Sequence, residues 1–121
     1  MTHEVFFDQA NEIIVLKLNN DFLYVEVAPV LSAIEELLEG KRYRQGLVEM
    51  NETYTIENRE AREAISKGMS NLEVSQVAFV GLGAATRMIA KVLLKTGMAK
   101  INGDFFKTKE EAIKWLKSKR T

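Results

Sequence analysis

With 121 residues, 46% hydrophobic and 28% charged, the chain has the size and composition of one globular domain, which excludes disorder as its resting state. Lys plus Arg and Asp plus Glu number 17 each, so no net field recruits nucleic acid or an acidic membrane surface. The absence of cysteine excludes disulfides, zinc–thiolate sites and thiol catalysis together. The opening M-T-H-E-V-F-F-D lacks the basic-then-apolar layout of a signal peptide, and no apolar run approaches the roughly 20 residues that span a bilayer. A cytoplasmic protein without membrane insertion is expected.

In chain order, Glu4 to Asp8 and Glu12 to Leu18 read as two strands, with Ala10-Asn11 turning a hairpin between them. Val27, Val30, Leu31, Ile34, Leu37 and Leu38 recur at helical spacing from about Glu26 to Glu39, and Gly40 is the natural stop. Pro29 then belongs in the first turn or so, where its missing N–H costs little. Phe22 to Val27 reads equally well as extended chain.

The stretch Gln45 to Met69 organises the rest. Leu47, Val48 and Met50 form a short apolar strand bounded by Gly46 and Asn51. Thr55 and Asn58 are both suited to capping the helix that follows, in which Ala61, Ala64, Ile65 and Gly68 make a small-residue face for close packing on a sheet. Residues 74–80, V-S-Q-V-A-F-V, suit a sheet interior. Gly81 and Gly83 bend the chain into a third helix, Ala84 to Thr96, ended by Gly97. Its apolar Ala85, Met88, Ile89 and Val92 share one face, and Arg87, Lys91 and Lys95 another. Ala99 to Ile101 or Asp104 to Phe106 makes a last strand. Thr108 and Glu111 form a T-x-x-E capping box for a final helix, with Ala112, Ile113, Trp115 and Leu116 inward. The order ββαβαβαβα implies α/β architecture: a mainly parallel sheet of about five strands with an antiparallel edge, and four helices.

Chemistry is sparse. Gly81-Leu82-Gly83-Ala84-Ala85-Thr86 approaches a dinucleotide fingerprint and Asp104 follows at about the right distance, but Thr86 replaces the third glycine. A tight turn with close helix packing is the favoured reading, and no cofactor is expected. His3 is the only histidine, placed at a terminus expected to be mobile, so no metal cluster or histidine-based nucleophile assembles around it. Glu49, Glu52, Glu57 and Glu60 gather near the central corner, where acids favour a helix start. Lys114, Lys117, Lys119 and Arg120 form a basic C-terminal end that suits the helix dipole. No enzymatic constellation emerges. Met88, Leu93, Leu94 and Met98 carry apolar surface around much of the third helix, either buried by neighbouring helices or forming a partner face or apolar pocket.

The segments T-I-E-N-R-E-A-R-E-A at 55–64, V-A-F-V at 77–80, T-R-M-I-A-K-V-L-L-K at 86–95 and F-F-K-T-K-E-E-A-I-K-W-L at 105–116 together resemble a STAS-like domain. That is the fold of bacterial anti-sigma-factor antagonists and sulphate-transporter tails. The chain is similar to the small stand-alone bacterial STAS-like group, which is also compared with the lipid-binding CRAL-TRIO fold. The resemblance covers nearly the whole chain and implies helices mainly on one face of the sheet. In antagonists of that family the corner before the second helix carries Asp-Ser-Ser-Gly and is switched by serine phosphorylation. Here the matching stretch is Glu57-Asn58-Arg59-Glu60, so the switch does not carry over.

What carries over is a helix start that in the family meets partner proteins. Glu57, Asn58, Arg59, Glu60 and Arg62 are therefore the expected interaction surface. The expected function is a non-catalytic interaction or regulatory module, with an unknown protein partner or a homo-oligomer. The alternative is a carrier of a small apolar, lipid-like ligand between the sheet and the third helix.

Overall fold

The computed structural model describes residues 3–51, 56–97 and 102–120, with backbone alone for 93–97. The elements follow the order read from the sequence: β1 (Glu4–Asp8), β2 (Ile13–Lys17), α1 (Tyr24–Leu38), β3 (Gln45–Glu49), α2 (Arg59–Asn71), β4 (Gln76–Val80), α3 (Ala84–Gly97), β5 (Gly103–Phe106) and α4 (Lys109–Ser118). The sheet order is β1-β2-β3-β4-β5, with β1 antiparallel and the other pairs parallel. Every crossover adds its strand to the same edge. Right-handed connections therefore put α1, α2 and α3 on one face. Among the described residues only α4, which follows β5, covers the other.

This arrangement explains why β2 and β4 read as unbroken apolar runs: both of their faces are covered. Ile14, Leu16, Val48, Val77, Phe79 and Phe105 meet Val27, Val30 and Ile34 of α1 and Ala61, Ile65 and Met69 of α2. Ile13, Val15, Leu47, Ala78 and Val80 face Ala112 and Leu116 of α4. Phe105 stacks on Phe79 at 4.7 Å, while its neighbour Phe106 lies against Trp115 on the opposite side. The last strand is thus the Asp104–Phe106 alternative; residues 99–101 lie outside the described chain.

One boundary departs from expectation. Helix α1 begins at Tyr24, two residues early, although Leu23 at its cap has no polar side chain. Acids supply the missing acceptors: Glu26 takes the Leu23 N–H at 3.0 Å, and Glu57, 33 residues away, takes the Tyr24 N–H at 2.8 Å. Pro29 consequently sits in the second turn, leaving the Val25 carbonyl without its helical donor at an exposed position where water reaches it. Helix α2 is capped by Asn58, whose Oδ1 accepts the Ala61 N–H at 2.9 Å; such a cap contributes about 1 kcal/mol. The alternative cap, Thr55, lies outside the described residues. Gly68 packs against Leu31 of α1 and not against the sheet: a Cβ there would overlap the leucine methyls.

His3 and Arg120 are tied down at opposite edges of the sheet. His3, expected to be mobile, is 3% exposed: it stacks on Phe22, accepts the Asn19 N–H at Nδ1 (3.2 Å) and reaches Glu26 through Nε2 (3.0 Å). Arg120, read as part of a basic end that suits the helix dipole, bonds Gln45 Oε1 and the carbonyls of Asn11 and Glu12, and lies over the Tyr43 ring. Gln45, itself buried, donates to Gln76 Oε1 and the Leu116 carbonyl, which joins α4 to the start of β3. In the adjoining hairpin turn, hydrogen bonds from Asn11 hold the Asp8 carboxyl below its usual range, and the Arg42 guanidinium does the same for Glu12.

Candidate functional site

Strands β2 to β5 end, and α1, α2 and α3 begin, along one edge of the sheet. The positive ends of three helices therefore converge there. An open cleft of about 710 Å³ lies at this edge, lined by Asn51 after β3, Gly81-Leu82-Gly83-Ala84 at the entry to α3, Arg87 in its first turn, and Lys107 after β5. Gly81 shapes the cleft floor. Its φ of +103° is left-handed, and its Cα faces the Met50 carbonyl so closely that any Cβ would overlap it. Arg87 donates to the Leu82 carbonyl at 3.0 Å, bracing the same turn. The glycines thus serve a tight strand-to-helix turn. Asn51 and Lys107 come from other strands, which is why no single motif in the sequence marked the cleft.

The five residues of the expected interaction corner divide into two groups. Glu57 and Asn58 are occupied structurally, Glu57 by capping α1 and donating its own N–H to the Phe22 carbonyl, Asn58 by capping α2. Arg59 is exposed and pairs with Glu63 one turn on at 2.9 Å, a surface contact of small energetic weight. Glu60 is exposed in the first turn of α2. Arg62 is half-buried, and its Nε is shielded from water without a hydrogen-bond partner. The face toward the sheet is as expected for Ala61 and Ile65, while Ala64 is only partly covered.

The third helix differs most from the pattern in its sequence. Its apolar stripe faces solvent: Met88 is 73% exposed, Ile89 64% and Val92 62%, with Ala85 exposed beside them. The core-facing contact is made by the smaller Ala90, with Leu82 buried just ahead of the helix. Helix α3 lies over β5, the edge strand, so no further helix covers its outward side among the described residues. Lys91 pairs with Asp104 at 3.5 Å on the β5 side. The side chains of Leu93 and Leu94, and Met98 altogether, lie outside the described residues.

Between the sheet and α2, an apolar space bounded by Leu16, Phe22, Val48, Ile65 and Phe79 holds about 20 Å³, on the scale of one water molecule and far too small for a lipid chain. Among the described residues no group of three or more His, Cys, Asp or Glu is placed to hold a metal ion, and no helix is long and apolar enough to cross a membrane.

A solved structure shares this architecture: an uncharacterized protein of the DUF3478 family from Shewanella loihica PV-4, described as having a SpoIIAA-like fold. The two align with a TM-score of 0.64 over 94% of this chain and 91% of that one, at 17% sequence identity. The fold is therefore STAS-like, of the SpoIIAA type, as the sequence segments suggested. No curated protein matches the chain. A family model does match, over residues 7–120, and the chain belongs to that family, described as Domain of unknown function (DUF7793).

Proposed function

We propose that this protein is a non-catalytic interaction or regulatory module that works through the outward face of α3 and lacks the serine switch of the antagonists it resembles. The observation that carries the reading is the stripe of Met88, Ile89 and Val92, each more than 60% exposed on one side of one helix. Single exposed apolar residues are ordinary, but a contiguous stripe of large ones loses free energy to water unless something covers it. The adjoining cleft, with Arg87 and Lys107, adds a polar, cationic rim of the kind that surrounds an apolar contact.

Pull-down from native lysate with light scattering on the pure protein tests the reading. Wild type should be captured with a protein partner or assemble with itself, and Ile89→Asp should lose that association while keeping its circular dichroism spectrum. A clean monomer with no partner contradicts the reading. A lipid co-purifying in native mass spectrometry would transfer it to a carrier of apolar ligands.

A further inference from the structure

We infer that Asn102 is a site of spontaneous modification in the folded protein: its side chain cyclises onto the Gly103 nitrogen, loses ammonia and reopens mainly as isoaspartate. This site stands apart from the interaction reading above. Of the seven asparagines only Asn102 precedes a glycine. Cyclisation brings the next residue's nitrogen against the asparagine side chain, and a Cβ on that residue crowds the approach; glycine has none. Asn11 and Asn58 are also held, the first donating to Asp8 and the second accepting the Ala61 N–H. Asn102 is exposed, and among the described residues no hydrogen bond holds its side-chain amide.

The sheet decides whether folding protects this pair. The Val77 N–H bonds the Asn102 carbonyl at 3.0 Å, and Val77 stands opposite Gly103 in the parallel register. Along such a ladder alternate residues turn their backbone groups to the neighbouring strand. Asn102 and Asp104 therefore face β4, and Gly103 turns its N–H away. Because β5 is the last strand, that N–H points from the open edge of the sheet and has no partner among the described residues. A free side-chain amide and a free main-chain nitrogen thus sit side by side, and neither leaves a ladder bond to react. Water is the sole co-reactant. The Gly103 nitrogen gives its proton to solvent and bonds to Asn102 Cγ; the Cγ–Nδ2 bond breaks and ammonia leaves, closing a succinimide. Water then opens the ring. Cleavage between the nitrogen and Cγ gives aspartate, whereas cleavage between the nitrogen and the main-chain carbonyl carbon gives isoaspartate. Nothing is oxidised or reduced. Isoaspartate routes the backbone through Cβ and Cγ, adding a methylene where β5 joins β4. It also moves the acceptor of the Val77 N–H off the main chain. Helix α3 rests on β5, so the change loosens the support beneath the exposed stripe.

Ageing of the folded wild-type protein in mildly alkaline buffer tests the site, with a parallel sample unfolded in urea. Peptide mapping reads deamidation at each asparagine, and an isoaspartyl methyl-transfer assay identifies the product. In the folded sample Asn102 should convert at least about tenfold faster than any other asparagine, and within about tenfold of its own rate in urea. Isoaspartate should exceed aspartate. Asn102→Gln should abolish the methyl-accepting product while keeping native circular dichroism. The inference is overturned if Asn102 in the folded protein reacts more than about tenfold slower than in urea, or no faster than the other asparagines. Methyl acceptance that persists in Asn102→Gln overturns it as well.

Discussion

Gly81→Ala should lower the unfolding midpoint by roughly 10 °C or more, the largest effect expected from so small a change. Two costs combine at this position. A φ of +103° is unfavourable for any residue with a Cβ, and the added methyl would collide with the Met50 carbonyl. That carbonyl cannot move aside freely, because the Met50 N–H is bonded to the Val80 carbonyl at 2.8 Å across the ends of β3 and β4. Strain of about 1–3 kcal/mol and overpacking of about 1–3 kcal/mol together give some 3 kcal/mol or more, at about 4 °C per kcal/mol. Gly40→Ala is the control. Gly40 also has positive φ, at +77°, but open space where the methyl would go, so only the backbone term should appear, about 1 kcal/mol. Thermal unfolding of the pair separates the terms; a silent Gly81→Ala would mean that the turn between β4 and α3 is built differently.

Leu116→Ala should cost about 2–5 kcal/mol in urea unfolding. Leu116 is fully buried, and with Ala112 it makes the apolar contact of α4 against Val15, Leu47, Ala78 and Val80. Among the described residues α4 is the sole helix on that face, and its position is fixed by the Gln45 hydrogen bond to the Leu116 carbonyl. The cavity therefore has no second helix to collapse into it. Val92→Ala on α3, equally apolar but 62% exposed, should change stability by no more than about 0.5 kcal/mol and act on association instead. Comparable losses from both substitutions would mean that α3 is packed against the protein's own core.

Local signals explain what the sequence revealed. Asn58, Thr108 and Gly40 mark helix ends through bonds and dihedrals made within a few residues, and the apolar runs of β2 and β4 announce strands covered on both faces. The misreadings all involve partners distant in the chain. The start of α1 depends on a carboxylate from Glu57, and His3 is buried by Phe22, Glu26 and Asn19. Arg120 finds its acceptors more than 70 residues away. On α3, periodicity identified the amphipathic stripe without revealing which side the fold would cover. That side was decided by the position of β5 at the edge of the sheet.

The stripe itself offers the most direct measurement. Selective labelling of methionine methyls, with a paramagnetic agent dissolved in the solvent, reads the accessibility of Met88 residue by residue. The methyl should become protected as protein concentration rises or when native lysate is added, and that protection should disappear in Ile89→Asp, whose fold is unchanged. A Met88 methyl equally accessible at every concentration, and still accessible after addition of native lysate, would contradict the assignment of this face to an interaction.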